Sequence, residues 1–288
     1  MGAIFRHELR NYFHSLTAYV FGAFLLAVVG LGSVLYNLQA AVSNFEFVLS
    51  FASIIFVVIV PILTMRTMAE ERRQRTDQLL YSLPITTTTQ VVLGKYLALL
   101  VVYLIPLAVI SLYPLLFSRF GEVYLPTSYG SLFAFFLMGA ALLAVGMFLS
   151  SLTDNQGFAA GIGIAAILLN YYSVSLAEYT SSTAMESLIA LYVIALLLGV
   201  VIRGLTRNEN LAYGVTFALI AALSVAYFVN STAFEGLLPD IMTKLSLFRQ
   251  FNSFVNGAFD LTAIVYYVSV MGFFLFLSVQ SMEKRRYN

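Results

Sequence analysis

The sequence predicts an all-α, polytopic integral membrane protein of about eight transmembrane helices, forming a single membrane domain over residues 1–288. Three observations lead there. The chain is 60% hydrophobic and 10% charged, with a mean hydropathy of +0.90, and so few charges cannot cover a water-facing surface of this size. Apolar runs of the length needed to cross a hydrocarbon core of about 30 Å recur along it. The basic residues, finally, segregate between alternate connections.

The opening stretch "IFRHELRNYFHSL" places Phe5, Leu9, Tyr12, Phe13 and Leu16 on one helical face, with Arg6, His7, Glu8 and Arg10 largely opposite. This predicts an interfacial helix over 1–16, ahead of the first span. Eight apolar runs follow: Tyr19 to Tyr36, Phe47 to Met65, Val91 to Phe117, Ser131 to Leu149, Phe158 to Val174, Ser187 to Ile202, Leu211 to Val229, and Thr262 to Gln280. The sixth is the shortest and rises only about 24 Å as a helix. Pro61, Pro106 and Pro114 each remove a backbone donor and are expected to bend their helices. "GFAAGIG" puts Gly157 and Gly161 four apart in the fifth run, a spacing that lets helix backbones approach closely, within the chain or between copies. In the segment 230–261, Pro239 and Asp240 precede Ile241, Leu245, Phe248 and Phe251, which predicts an amphipathic helix on the far side.

With a cytoplasmic N-terminus, Arg6, Arg10, Arg66, Arg72, Arg73, Arg75, Lys95, Arg203, Arg207, Lys284, Arg285 and Arg286 all lie inside, and Arg119, Lys244 and Arg249 outside. That bias is what the positive-inside rule requires. Residues 66–90 then form a cytoplasmic loop, since burying each charge of "MAEERRQRTD" at mid-bilayer would cost about 2.5 to 3.5 kcal/mol. Met65, Met68, Ala69 and Arg72 continue the helical spacing of the second span beyond the membrane. A short second helix is then signalled: Thr76 is a good N-cap, Asp77 suits the positive helix end, and Pro84 stops the run after Leu79, Leu80 and Leu83. Its leucine edge needs lipid headgroups or a protein groove to cover it.

Other chemistries find little support. The chain has no Cys, which removes disulfides, thiolate metal sites and thiol nucleophiles. "VVLGKY" lacks the preceding glycine and the following Ser or Thr of a phosphate-binding loop, so no nucleotide site is expected. His7 and His14 share a helical face but have no nearby Cys or Asp to complete a metal site. The apolar runs hold almost no ionisable groups, Glu46, Glu178, Glu186 and Asp260 falling near outer ends, which disfavours ion-coupled transport and intramembrane catalysis. Tyr103, Tyr113, Asn170, Tyr171 and Tyr172 remain as polar groups for a pathway or as headgroup anchors. No cleaved leader or myristoylation pattern is read at "MGAIFR", and a net charge of +1 gives no reason to expect nucleic acid.

In the stretch just described the sequence resembles the permease subunits of type-2 ABC transporters, in particular the group that includes gliding-motility and nitrous-oxide-reductase-maturation permeases. Members commonly carry "M-R-x-x-x-E-E-R", then "G-T-x-E-x-L-L-x-x-P", then "V-x-G-K". The matching positions are Met65, Arg66, Glu70, Glu71 and Arg72; Thr76, Leu79, Leu80 and Pro84; and Val92, Gly94 and Lys95. Arg75 and Gln78 depart from the usual glycine and glutamate. "FRQFNSFVNGAFDL" before the last run is similar as well, whereas the pair of runs from Ser187 to Val229 exceeds the commoner six-span pattern.

The resemblance implies an exporter whose energy comes from two cytoplasmic ABC ATPase subunits that hold ATP and Mg, with no cofactor in this chain. It further implies a second permease copy or paralogue, an additional extracytoplasmic subunit in gliding-type systems, and a bacterial cell membrane with both termini cytoplasmic. Thr76 to Leu83 would be the coupling helix, its leucines filling a groove on the ATPase. Glu70, Glu71, Arg72 and Arg73 would fix register by charge, and Arg6, Glu8 and Arg10 would flank the contact. Two other readings are a secondary transporter or channel, and a membrane scaffold that binds an ATPase without transport.

Overall fold

The structure, a computed structural model, describes residues 2–74, 87–180, 182–206 and 209–286. The described residues are helical and turn-connected, with no strand among them. The expected coupling helix, with Thr76, Asp77, Leu79, Leu80, Leu83 and Pro84, lies outside them, as do Arg75 and Arg207.

Helix α1 (Gly2–His14) leads through Ser15 into α2 (Leu16–Gly32), which continues as a π-helix over Ser33–Gln39. Next come α3 (Phe45–Ser53), α4 (Phe56–Gln74), α5 (Thr88–Ile110), α6 (Leu112–Phe117), α7 (Leu125–Ser150) and α8 (Gln156–Tyr179). After these are α9 (Ala184–Thr206), α10 (Glu209–Val229), a 3-10 turn at Ser231–Phe234, α11 (Leu237–Lys244), α12 (Leu247–Val255) and α13 (Leu261–Arg286). Six helices among the described residues are long and apolar enough to cross a membrane, and seven if the bent pair α3–α4 is one span. The eight expected runs all fall in helices, but the sixth supplies only the shorter apolar stretch Ala184–Val200.

The second expected span is broken. Residues Ile54 and Ile55 separate α3 from α4, and the axes differ by 57°. This bend lies about two turns before Pro61, which sits inside α4. At Pro114 the missing N–H leaves the carbonyl of Ile110 without a helical donor, and the helix stops at Ile110 and restarts at Leu112 within one continuous span, Thr88–Phe117.

The chain divides into two compact units, residues 1–171 with 250–288, and residues 172–249. In the first, α7 is the central helix, packed between α4 and α13, and its small residues explain how. A side chain on Gly139 would come within 2.5 Å of Tyr103 Oη, and one on Gly146 would strike Thr64. Between helices in lipid there is no aqueous hydrophobic drive, so such close backbone approach carries much of the association. Tyr103, weighed above as a pathway group, is instead fully buried and donates to the Phe135 carbonyl at 2.8 Å, and Phe56 and Phe135 rings meet at 4.7 Å. Gly163 of α8 packs on Pro61, whereas Gly157 and Gly161 lie on the exposed face of that helix. At the end of this unit away from the α4–α5 connection, Glu46 is buried and its Oε1 accepts from Ser128 Oγ at 3.2 Å.

The second unit holds the α9–α10 hairpin, closed where Gly199 faces Thr216 and where the Tyr192 and Ser224 hydroxyls meet at 2.6 Å. Arg203 pairs with Glu209 across its turn. The single amphipathic helix expected beyond it is two. Helix α11 ends at Lys244, and Ser246 Oγ accepts from Arg249 N at 3.3 Å to start α12 afresh, with Leu247, Phe248, Phe251 and Phe254 buried. The pattern did not register a serine able to cap a new helix.

Candidate functional site: a charged junction below the spans

In the first unit, α1, the end of α4, the start of α5 and the ends of α7 and α13 meet on one side. Helix α1 reaches α5 because Gly94 leaves room for it: a Cβ there would lie 3.2 Å from Ile4 Cγ2 and 3.5 Å from the Phe5 backbone nitrogen. The next residue, Lys95, is buried to 1% exposure. Its Nζ donates to Glu8 Oε1 at 2.8 Å, to Glu71 Oε1 at 2.6 Å and to the Thr67 carbonyl at 3.2 Å. All three ammonium protons are thus used, as an ammonium taken out of water requires.

Glu8 is the correction to the opening helix. The pattern sets it on the polar face, yet with Tyr12 it forms the buried side of α1, because Lys95 supplies the charge that makes burial tolerable. Tyr12 places its hydroxyl 3.5 Å from Thr67 Oγ1, and burial pushes its phenol up to about 12. Arg6 and Arg10 stay exposed, Arg10 Nε donating to His14 Nε2 at 3.3 Å.

Helix α4 runs past the junction as a braced strut. Ser150, the last residue of α7, inserts its hydroxyl into one turn of α4: Oγ donates to the Met65 carbonyl at 3.1 Å and accepts from the Met68 and Ala69 amides at 3.3 and 3.2 Å. Arg72, buried, donates from Nη2 to Ser281 Oγ of α13 at 3.4 Å, and that hydroxyl donates to the Ser151 carbonyl at 3.1 Å. Glu70 and Glu71 are half-buried and Arg73 is exposed. The helix ends at Gln74, and α5 restarts at Thr88, its N-cap Thr87 accepting from the Gln90 amide at 3.4 Å.

Sequence reasoning had found Glu8, Glu71 and Arg72 as outward contacts; the structure gives each an internal bond. It marked Lys95 only as a motif position, with no contact assigned to it, and missed Ser150 and Ser281. Lys95 carried a signal, being a lone cation eight residues inside a 23-residue apolar helix, but the two serines carried none. Among the described residues no group of three His, Cys, Asp or Glu is placed to hold a metal. What the junction can do is mechanical: four helices are tied to one strut by charge-assisted and hydroxyl bonds.

Between α1 and α4 the junction opens into a cleft of about 750 Å³, walled in part by His14, Thr17, Arg66, Glu70 and the Lys95 group. Residues 30–190 match the model of the family described as ABC-2 family transporter protein, more than half of the chain. The match takes in the junction from α4 to α7 and stops within α9, before most of the extra hairpin. No curated protein matches the chain, and no solved structure does.

Proposed function

Since this chain belongs to the ABC-2 transporter family and is the multi-pass membrane permease component of such a transporter, we propose that it couples ATP hydrolysis by a separate ATPase to export. Two ATPase subunits holding ATP and Mg dock at the charged junction, on the cytoplasmic side of a bacterial cell membrane, against a pair of permeases formed with a second copy or a paralogue. In this reading Thr76 to Pro84 is the element they grip, with Leu79, Leu80 and Leu83 in the ATPase groove and Arg6, Arg10, Glu70 and Arg73 around it. Glu8, Glu71 and Arg72 act one step inward, as the link from that element to the spans.

One observation carries the reading: Lys95 of α5 binds Glu71 of α4 and Glu8 of α1, joining both flanks of residues 75–86 to each other and to α1. A push on that segment therefore moves α4, α5 and α1 together, and Ser150 and Ser281 pass it to α7 and α13. The buried charges favour this use. Such groups add little net stability over apolar residues of the same size but fix geometry, which a force-transmitting joint needs.

Leu80→Asp tests it. The variant should insert and elute as a single species, yet lose co-purification of the ATPase and the permease-stimulated part of its hydrolysis. Wild-type binding and turnover would reject the role. Because the chain has no cysteine, single cysteines at positions 80 and 119 report sidedness directly, and labelling of position 80 by an impermeant maleimide from outside intact cells would reject the orientation.

A further inference from the structure

The broken second span carries a feature that the coupling role does not use. Where α3 meets α4, at the 57° bend, Ile55 N donates to the Ala52 carbonyl and Val57 N to that of Ile54, both at 3.1 Å. These are three-residue turns in place of the α-helical ladder, and a mid-helix stretch of this kind is a recurrent place for a hinge.

The other end of α3 is held at a cost. Glu46 is 1% exposed and faces α7, where its Oε1 accepts from Ser128 Oγ at 3.2 Å. Its Oε2 is buried with no partner among the described residues. The segment that leads into α3 is under strain of its own. It runs from the π-helix, which packs on α3, through Ala41 at φ 52°, a left-handed backbone for a residue with a Cβ. Asn37 of the π-helix donates from Nδ2 to the Val42 carbonyl at 2.7 Å, yet its Oδ1 is buried and has no partner among the described residues either.

An apolar side chain would fill the place of Glu46 without an unpaired oxygen, as Val48, Leu49 and Ala52 do along the same buried side of α3. What favours a carboxyl is a second position of α3 in which the group meets water. The distance to travel is short, since Ser43 and Asn44, just before it, are exposed.

We propose that α3 is a hinged segment with two positions: the one described, latched on α7 by Glu46 and Ser128, and one swung about Ile54 and Ile55 with the Glu46 carboxyl hydrated. Glu46 sets the balance between them, because its unpaired oxygen weakens the latched position. As an outer gate for export the segment rests on the function proposed above, whereas the hinge itself does not.

The test is thiol accessibility in the full-length chain, which has no cysteine of its own, reconstituted without an ATPase and treated with a small water-soluble methanethiosulfonate. Val48→Cys, at a fully buried position against Gly32 of α2, reports the swing; Ser43→Cys and Ala141→Cys, at an exposed and a buried position, bracket it. Val48→Cys should react at a rate between the two. Adding Glu46→Met should slow it about tenfold, since the latched position no longer buries an unpaired oxygen, and adding Ser128→Ala should speed it about tenfold. If Glu46 merely braced α3, Glu46→Met would speed the reaction by removing the bond to Ser128. No reaction at position 48 with Glu46 intact, or a rate that Glu46→Met raises or leaves unchanged, overturns the proposal. Should Glu46→Met fail to insert, Ser128→Ala decides, and a rate at position 48 that it does not raise overturns the proposal as well. The hydrolysis lost in Leu80→Asp is scored separately: its retention would reject coupling and leave the hinge standing, whereas an unreactive position 48 would reject the hinge and leave coupling.

Discussion

Lys95 and Glu71, 24 positions apart, meet at 2.6 Å between Nζ and Oε1, so the two helices that flank residues 75–86 are tied by a buried ion pair. Glu8 completes it from a third helix at 2.8 Å. The group holds two carboxylates on one ammonium, and its stability depends on that ammonium being present.

Lys95→Met should therefore lower stability by about 3 kcal/mol, because buried Glu8 and half-buried Glu71 lose the ammonium they share. Melting in detergent, followed by size-exclusion fluorescence, reads the loss. Adding Glu8→Gln and Glu71→Gln to Lys95→Met should recover most of it, as the unpaired charges disappear. A single Lys95→Met variant that melts with the wild type would show that the pair is not a structural centre.

Gly94→Val should loosen α1 specifically. A Cβ at this position already meets Ile4 at 3.2 Å, and a branched side chain must push α1 off α5, at a cost of about 1–3 kcal/mol. Hydrogen exchange at the amides of residues 4–14 should speed up while α7 keeps its protection. Uniform acceleration along the chain would contradict a local effect.

Ser150→Ala and Ser281→Ala should differ. The first removes a hydroxyl that bonds three backbone groups of α4, at 3.1 to 3.3 Å, costing about 0.5–1.5 kcal/mol. The second removes a bond to one carbonyl and a contact with Arg72 at 3.4 Å. Thermal stability should fall further in Ser150→Ala. The reverse order would mean that α13, rather than α7, is the main brace of α4.

Two glycines of one helix should also part company. A Cβ on Gly163 would lie 3.0 Å from Pro61 Cβ, whereas one on Gly161 would have no neighbour within 4 Å. Gly163→Leu should destabilise the chain, and Gly161→Leu should leave its melting unchanged, so that any effect of the latter appears in mass by light scattering. Equal destabilisation would show that Gly161 is packed within the chain.

The helices were legible because a span is written in consecutive residues. Runs such as Val91 to Phe117 and Ser131 to Leu149 lie wholly within α5 with α6 and within α7. The break between α3 and α4 was not legible, since Ile54 and Ile55 are not helix breakers and the proline of that run lies two turns away. The site was legible in part. Its location followed from the charge run, and "V-x-G-K" marked Gly94 and Lys95, but their function as a socket for α1 follows from Ile4 and Glu8, far away in sequence. Reading α1 alone, with water as the default surroundings of a charge, turned Glu8 outward.

The sequence by itself determined that lipid is the solvent and that the backbone answers with helices, because transfer free energy accumulates residue by residue along the chain. Only the tertiary structure decided which charges turn inward. A carboxylate is stable out of water only beside a cation, and whether Lys95 stands beside Glu8 depends on how helices 87 positions apart come together.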